Sequence, residues 1–374
     1  MRIKAAVLRQ SGASVPYAQS RPLEIAEIDL RPPGHGEVTV RIKAAGLCHS
    51  DLSVINGDRA RPLPMVLGHE AAGVVEALGE GVRDLAVGDH VVMVFVPSCG
   101  CCLPCAGGRP ALCEPGAAAN GAGTLLRGDR RLYLGAHAVN HHLGVSAFAE
   151  CATVSRESCV KIDPSLPFEH AALFGCAVLT GMGAVVNTAR VPPGSSVAVV
   201  GLGGVGLCSV MGAQVSGARQ IVAVDLSEDK LRTARELGAT HCVNASDPDA
   251  ADHVRELTGG GAEYVFELAG SIPALELAYR ATARGGMTVT GGLPPPDRYL
   301  SLQAVGLVAE ERTLKGSYIG TCVPKRDIPN FVSLFQSGRL PVDKLLTHRL
   351  ALDDINAGFD RLRDGSAIRQ VVLF

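Results

Sequence analysis

The chain has 374 residues and is 47% hydrophobic, enough apolar material for two cores, so two lobes are expected. Its 35 Lys and Arg face 37 Asp and Glu for a net charge of -2, which gives no basic footprint for nucleic acid or an anionic membrane and points to a small-molecule partner. Charges at positions 2, 4 and 9 interrupt the opening MRIKAAVLRQ. No later stretch approaches the roughly 18 consecutive apolar residues of a membrane span, so a soluble cytoplasmic protein is expected, with its 12 cysteines reduced.

Residues 1–178 read as the first lobe. KAAVL, EVTVRIKAAG, GHEAAGVVEALG, GDHVVMVFV and FAECATVSRESCVKI are short apolar runs broken by Gly and Pro, the pattern of a mostly β lobe with long loops. Within it, CGCCLPCAGGRPALC sets Cys99, Cys102, Cys105 and Cys113 in C-x2-C-x2-C-x7-C spacing, which lets four thiolates converge on one tetrahedral zinc. Four sulfurs close the shell and leave no position for substrate, so a structural zinc that pins a long loop is the simplest reading. Cys101 falls outside the spacing. Disulfides fit a reducing compartment poorly, and a CxxC redox role is less economical when four thiolates already have a full task.

A catalytic zinc needs three protein ligands and an open position, and its candidates here are scattered: Cys48 in GLCHSD, His69 and Glu70 in LGHE, Cys176 in LFGCAVLTG. None is decisive alone, since a lone buried cysteine is commonly inert and a lone histidine after glycine is commonly a hydrogen-bonded loop residue. Together Cys48, His69 and Cys176 supply the mixed ligand set of a zinc that activates an alcohol. Cys176 lies just before the second lobe, which places such a metal at the cleft between lobes.

Residues 179–319 change period. SVAVVGLGGVGLCSVMGAQVSG, QIVAVDLSEDKLRTARELGA, YVFELAGS, ALELAYRATARGG and MTVTGGL alternate apolar strands with helix-length segments, which implies a parallel sheet covered by helices on both faces. VAVVGLGGVG places Gly201, Gly203 and Gly206 after a strand and before a helix. Gly201 allows the tight turn, and Gly203 lets the backbone approach a pyrophosphate at a helix N-terminus, where free N–H groups and the helix dipole favour negative charge. Nineteen residues past Gly206, IVAVD ends the next strand in Asp225, placed to accept from a ribose diol and to repel a 2′-phosphate, which selects NAD over NADP. A glycine turn without a ligand is the plainer alternative, and the acid at this distance speaks against it. Residues 320–374 carry two further helical stretches and end in IRQVVLF, a strand able to rejoin the first lobe.

These motifs in combination resemble the zinc-dependent alcohol dehydrogenases of the medium-chain dehydrogenase/reductase superfamily over essentially the whole chain. GHEAAGVVEALGEGV is similar to the family's zinc signature, with His69 as ligand and Glu70 as the acid behind the metal. The 21 residues from Cys48 to His69 and the 63 from Cys113 to Cys176 resemble the longer vertebrate-type members. The resemblance implies a GroES-like catalytic domain over 1–178 and 320–374, a Rossmann NAD-binding domain over 179–319, two zinc ions per subunit and a homodimer.

By the same resemblance, Ser50 is the hydroxyl that takes the substrate proton, and His49 and Arg369 lie at the cofactor pyrophosphate. Asp225 and Lys230 contact the adenosine ribose, and Thr180 and Val205 neighbour the nicotinamide. Phe95, Ala118, His142, Leu143, Leu293 and Tyr318 fall where relatives line the substrate channel, giving an apolar slot with a polar edge at His142 and Tyr318, although Phe95 and Leu143 also read as ordinary core. Relatives with a full proton relay carry a histidine three residues past the serine, and here that position is Ser53. The implied activity is hydride transfer between an alcohol and NAD, with the aldehyde or ketone as product. Glutathione-dependent formaldehyde dehydrogenases are the nearest functional alternative, but they use an acid where this chain has Arg59 and an arginine where it has Ala117. A non-catalytic dinucleotide-binding relative is the alternative of another class, and a binding module needs no open metal site.

Overall fold

A computed structural model describes all 374 residues and divides into two compact units. The first comprises Met1–Cys176, Val323–Asn330 and Asp343–Phe374; the second comprises Ala177–Cys322 and Phe331–Val342. Thus 331–342, read from sequence as part of the first lobe's tail, counts with the second unit, where Phe331, Val332, Leu340 and Val342 are buried apolar residues.

The first unit holds the GroES-like barrel. Strands Arg2–Leu8, Leu23–Leu30, Leu132–Leu134, His137–His141 and Met65–Val66 close on one another. A second sheet runs Cys159–Lys161, His90–Met93, Ala71–Leu78, Glu37–Gly46, Arg369–Leu373, Leu346–Leu350, with Cys151–Ser155 added to Glu37–Gly46. Glu37–Gly46 is its hub: it pairs antiparallel with three strands and is buried at eight of its ten residues, which explains why its run lacks clean alternation. The C-terminal strand does rejoin this unit, with Val371 opposite Gly46, and thereby brings Arg369 to the end of the hub strand. The core beneath includes Val38, Val40, Ile42, Leu47, Val91, Phe148 and Phe359.

The second unit is a parallel six-stranded sheet in the order His241–Asn244, Gln220–Asp225, Ser196–Val200, Ala262–Glu267, Thr282–Thr290, Thr313–Gly316. In chain order this is 3-2-1-4-5-6, the Rossmann arrangement. The central strand Ser196–Val200 is wholly buried, and helix Gly204–Val215 follows it directly. At the far edge Thr313–Gly316 is largely exposed. No single helix is long and apolar enough to cross a membrane.

Candidate active site

In the exposed loop of the first unit, the sulfurs of Cys99, Cys102, Cys105 and Cys113 all lie within 4.8 Å of one another. Backbone N–H groups are aimed at them: Cys102 N donates to Cys99 Sγ at 3.3 Å, and Cys99 N and Gly116 N donate to Cys113 Sγ at 3.2 and 3.3 Å. Hydrogen bonds from Cys101 and Cys102 hold the Cys99 thiol down at about 6, while burial pushes Cys105 up to about 12. Donors of this kind favour thiolate, the form that binds metal, so the donor set fits zinc. Cys113 also caps helix Glu114–Ala122 by accepting from Gly116 N, which ties the loop to the protein behind it. Cys101 stands outside this group, exposed, with its Sγ 3.7 Å from Cys99 Sγ, and all twelve cysteines are free of disulfides.

The scattered candidates of the same unit converge in the interior: ligand atoms of Cys48, His69 and Cys176 lie within 4.8 Å of one another, and all three residues are buried. Cys48 immediately precedes helix His49–Ile55, whose first turn carries Asp51. Gly68, at φ +89°, turns the chain into His69; a Cβ there would meet Phe148 N at 2.7 Å. Asp51 Oδ1 accepts from Gly68 N at 3.0 Å and faces His69 Nδ1 at 3.1 Å, which leaves His69 Nε2 as the metal-binding atom. Asp51 was not identified from the sequence, although a carboxylate three residues after a candidate ligand was there to be found.

Electrostatics describe a site built around positive charge. The hydrogen bond from Cys176 holds the Cys48 thiol well below its ordinary range against burial, and the Cys176 thiol is raised correspondingly. Burial alone would lower His69, but Asp51 and the Cys48 sulfur outweigh it and raise it. Glu70 is raised by burial despite its ion pair with the buried Arg369. Gly46 makes room for that carboxylate, since a Cβ there would lie 2.6 Å from Glu70 Oε1. Two sulfurs and an imidazole nitrogen form the donor set of a divalent, thiophilic cation, and zinc fits.

Around this cluster the structure sets some predicted residues and displaces others. Phe95 packs edge-on against His69 at 5.3 Å, and the buried His142 flanks the same ring at 5.6 Å. Leu143 is buried beside His142 in a left-handed conformation, φ +51°. Ser50 is half-buried and His49 exposed on the first turn of their helix, and Ala118 is exposed on helix Glu114–Ala122. Asn120, on that same helix, was also missed from sequence: its Nδ2 donates to Phe95 O at 3.0 Å. Arg369 points into the protein, to Glu70.

The glycine loop is contained in the second unit, and its three glycines have three causes. Gly201 has φ +91°, and a Cβ would meet Ala269 N at 2.5 Å; a Cβ on Gly206 would strike Gly201 O at 1.8 Å. Gly203, the N-cap of helix Gly204–Val215, is different: a Cβ there meets no protein atom within 4 Å. Nothing in the fold requires that glycine, whereas a pyrophosphate resting on the backbone would. Asp225 accepts from Leu202 N at 2.6 Å and Ser227 N at 2.9 Å, so it also braces the loop. Asp225, Lys230 and Val205 are half-buried, Thr180 is buried, and Leu293 and Tyr318 are exposed.

Residues 34–164 match the alcohol dehydrogenase GroES-like domain family and residues 204–337 the zinc-binding dehydrogenase family. An alcohol dehydrogenase zinc-binding domain protein from Burkholderia ambifaria is 36% identical over 100% of this chain and 99% of its own, with a TM-score of 0.94. The chain belongs to the zinc-binding alcohol dehydrogenases of the medium-chain dehydrogenase/reductase superfamily. Within that family, benzyl alcohol dehydrogenase from Acinetobacter calcoaceticus is similar at 34% identity, coverage of 100% and 99%, and a TM-score of 0.93. An alcohol dehydrogenase from Thermus sp. ATN1 follows at 29%, 99% of each chain and 0.80. The chain is therefore a zinc-dependent oxidoreductase of this family.

Proposed function

We propose that this enzyme oxidises a small primary or secondary alcohol with NAD, and reduces the matching aldehyde or ketone in reverse. The observation that carries the reading is the buried convergence of Cys48, His69 and Cys176, with Asp51 fixing His69. When bound, zinc polarises the substrate oxygen and NAD accepts the hydride. The chain's own residues do the rest: Ser50 Oγ takes the hydroxyl proton, Phe95 and Leu143 exclude water from the cluster, and the pair Glu70–Arg369 sets the charge behind it. On the second unit, Gly203 admits the pyrophosphate, Asp225 and Lys230 hold the adenosine ribose, and Thr180 and Val205 adjoin the nicotinamide; His49 and Arg369 of the first unit are assigned to the pyrophosphate by the family resemblance alone. Cys99, Cys102, Cys105 and Cys113 hold the second, structural zinc. The family resemblance assigns Ala118 and His142 on the first unit, and Leu293 and Tyr318 on the second, to the substrate.

A homodimer is supported by the edge strand Thr313–Gly316 and by helix Ala304–Ala309, none of whose residues is buried, the apolar Val305 and Val308 being 65% and 77% exposed. A reducing cytoplasm suits the twelve free thiols. The test is a panel of aliphatic, allylic and aromatic alcohols followed by reduced-nicotinamide absorbance with NAD and with NADP, alongside elemental analysis. Turnover with NAD and two zinc ions per subunit is expected; no turnover with any alcohol, or a single zinc at full activity, overturns the reading.

A further inference from the structure

We propose that His142 is a specificity-determining residue which, with Asn120, forms a polar subsite beside the catalytic cluster for a second hydroxyl group on the substrate. This rests on the alcohol dehydrogenase reading above. The starting point is an imidazole that the fold does not use. His142 is 1% exposed, yet neither ring nitrogen makes a hydrogen bond; Nε2 lies 3.3 Å from Asp51 Oδ1 without the alignment of one. The ring is placed by its backbone instead. His142 N donates to Ser146 Oγ at 2.8 Å, Ser146 Oγ donates to Val66 O at 2.8 Å, and Val145 N donates to His142 O at 3.0 Å. Leu143, Gly144 and Ser146 all take positive φ to make this turn.

Asn120 repeats the pattern. Its Nδ2 is used by Phe95 O, but its Oδ1 is buried without a partner and lies on the side of the 142–146 turn, where a Cβ on Gly144 would be 3.6 Å away. Buried polar atoms left unmade are destabilising, and a phenylalanine at 142 would fill the same space without that cost. A partner supplied by the substrate resolves the conflict. A single hydroxyl can accept from an imidazole N–H and donate its one hydrogen to the amide oxygen, so a hydroxyl is the group that pairs one ring nitrogen of His142 with Oδ1 of Asn120. The placement agrees: His142 packs on the ring of His69, so a substrate held with its carbinol oxygen at the cluster carries its neighbouring atoms past His142. The substrate class is therefore an alcohol bearing a second hydroxyl, a diol or a hydroxyaryl carbinol. A site of this kind discriminates against the analogue that lacks the group, because binding it leaves polar atoms unpaired.

The experiment compares benzyl alcohol with its 2-, 3- and 4-hydroxy derivatives on the zinc-loaded enzyme, for the unmodified protein, His142→Phe and His142→Gln. One hydroxy isomer should exceed benzyl alcohol in kcat/KM by about tenfold or more, His142→Phe should bring that ratio close to one, and His142→Gln, which keeps a donor and an acceptor, should restore part of it. Two readouts do not depend on turnover. The melting temperature of His142→Phe should equal or exceed that of the unmodified protein, and calorimetry should show the hydroxybenzaldehyde binding more tightly than benzaldehyde only when residue 142 is polar. If no alcohol is oxidised, the proposed function falls, and the aldehyde binding ratio alone decides the subsite. The subsite is overturned if hydroxy and plain substrates stay within about threefold, if a preference survives His142→Phe, or if that variant melts several degrees lower, the mark of a ring satisfied by ordered water.

Discussion

The enzyme holds two cysteine clusters of opposite construction. One draws four cysteines from a fifteen-residue exposed stretch and organises them by backbone N–H groups of that stretch; the other gathers Cys48, His69 and Cys176 from three distant segments and buries them completely. In the first the chain would wrap a metal, and metal binding there would be local folding free energy. In the second the folded sheet makes the site, and Asp51 and Arg369 tune it from behind. Stability should therefore be lost at the first cluster and chemistry at the second.

The sharpest way to break that comparison is Cys176→Ser. Turnover should fall roughly a thousandfold or more, because an activated substrate oxygen is worth several kcal/mol, while the melting temperature holds within a few degrees. Retention of more than a tenth of the activity would mean that the buried cluster is not the reactive one. Asp51→Asn comes next. It keeps the shape but weakens the acceptor for His69 Nδ1 and Gly68 N, so affinity for the catalytic zinc should drop about 10- to 100-fold while the four-cysteine zinc is retained. Zinc content after titration with a chelator separates the two populations.

Cys102→Ser should reverse the pattern, losing one zinc and lowering the melting temperature by several degrees while a substantial part of turnover survives. Survival should be incomplete for a reason visible in the structure. Cys113 caps the helix whose Asn120 holds Phe95 O, and Phe95 packs on His69. Full activity with the first cluster dismantled would show that this chain of contacts transmits nothing.

The same contrast explains what the sequence disclosed. The four-cysteine spacing and the glycine loop are local, and both could be read from one short stretch. The hub strand Glu37–Gly46 was legible as a strand with its limits, and so was the returning C-terminal strand. The short strands Leu132–Leu134 and His137–His141 and the helix Glu114–Ala122 were passed over: the strands are too short to show a period, and the helix is a Gly- and Asn-containing stretch started by a proline and a cysteine cap. Asp51 and Asn120 were missed because their roles are hydrogen bonds to residues 17 and 25 positions away. Arg369 was anticipated as a cofactor contact, and only its fold position reveals the partnership with Glu70.

Cofactor choice offers a smaller effect. Asp225→Ala should narrow a preference for NAD over NADP by about tenfold, through loss of ribose hydrogen bonds and of repulsion towards a 2′-phosphate. Because Asp225 also accepts from Leu202 N and Ser227 N, the variant should raise KM for both cofactors. Asp225→Asn, which can still accept from those amides, should alter the preference with less harm to KM. Equal kcat/KM for the two cofactors in the unmodified enzyme would remove Asp225 from this role.

The smallest effect concerns the route by which Ser50, in the proton-accepting role proposed for it, passes that proton on. Ser53, which by the family resemblance stands at the relay-histidine position, donates its Oγ hydrogen to His49 O at 2.9 Å, four residues back in the same helix turn. That bond commits the hydroxyl hydrogen to the backbone, and a serine cannot hold a proton near neutral pH as an imidazole can. Proton release should then depend on hydroxide or an external base, so the single-turnover rate of alcohol oxidation should rise towards alkaline pH and rise a few-fold on addition of imidazole-type buffer at neutral pH. Ser53→His supplies the missing base and should reduce the response to buffer. Steady-state kcat can hide this when release of the reduced cofactor is slow, whereas single-turnover measurement isolates the step. A rate indifferent to buffer base, and unchanged by Ser53→His, would show that the proton leaves through groups other than the Ser50 helix.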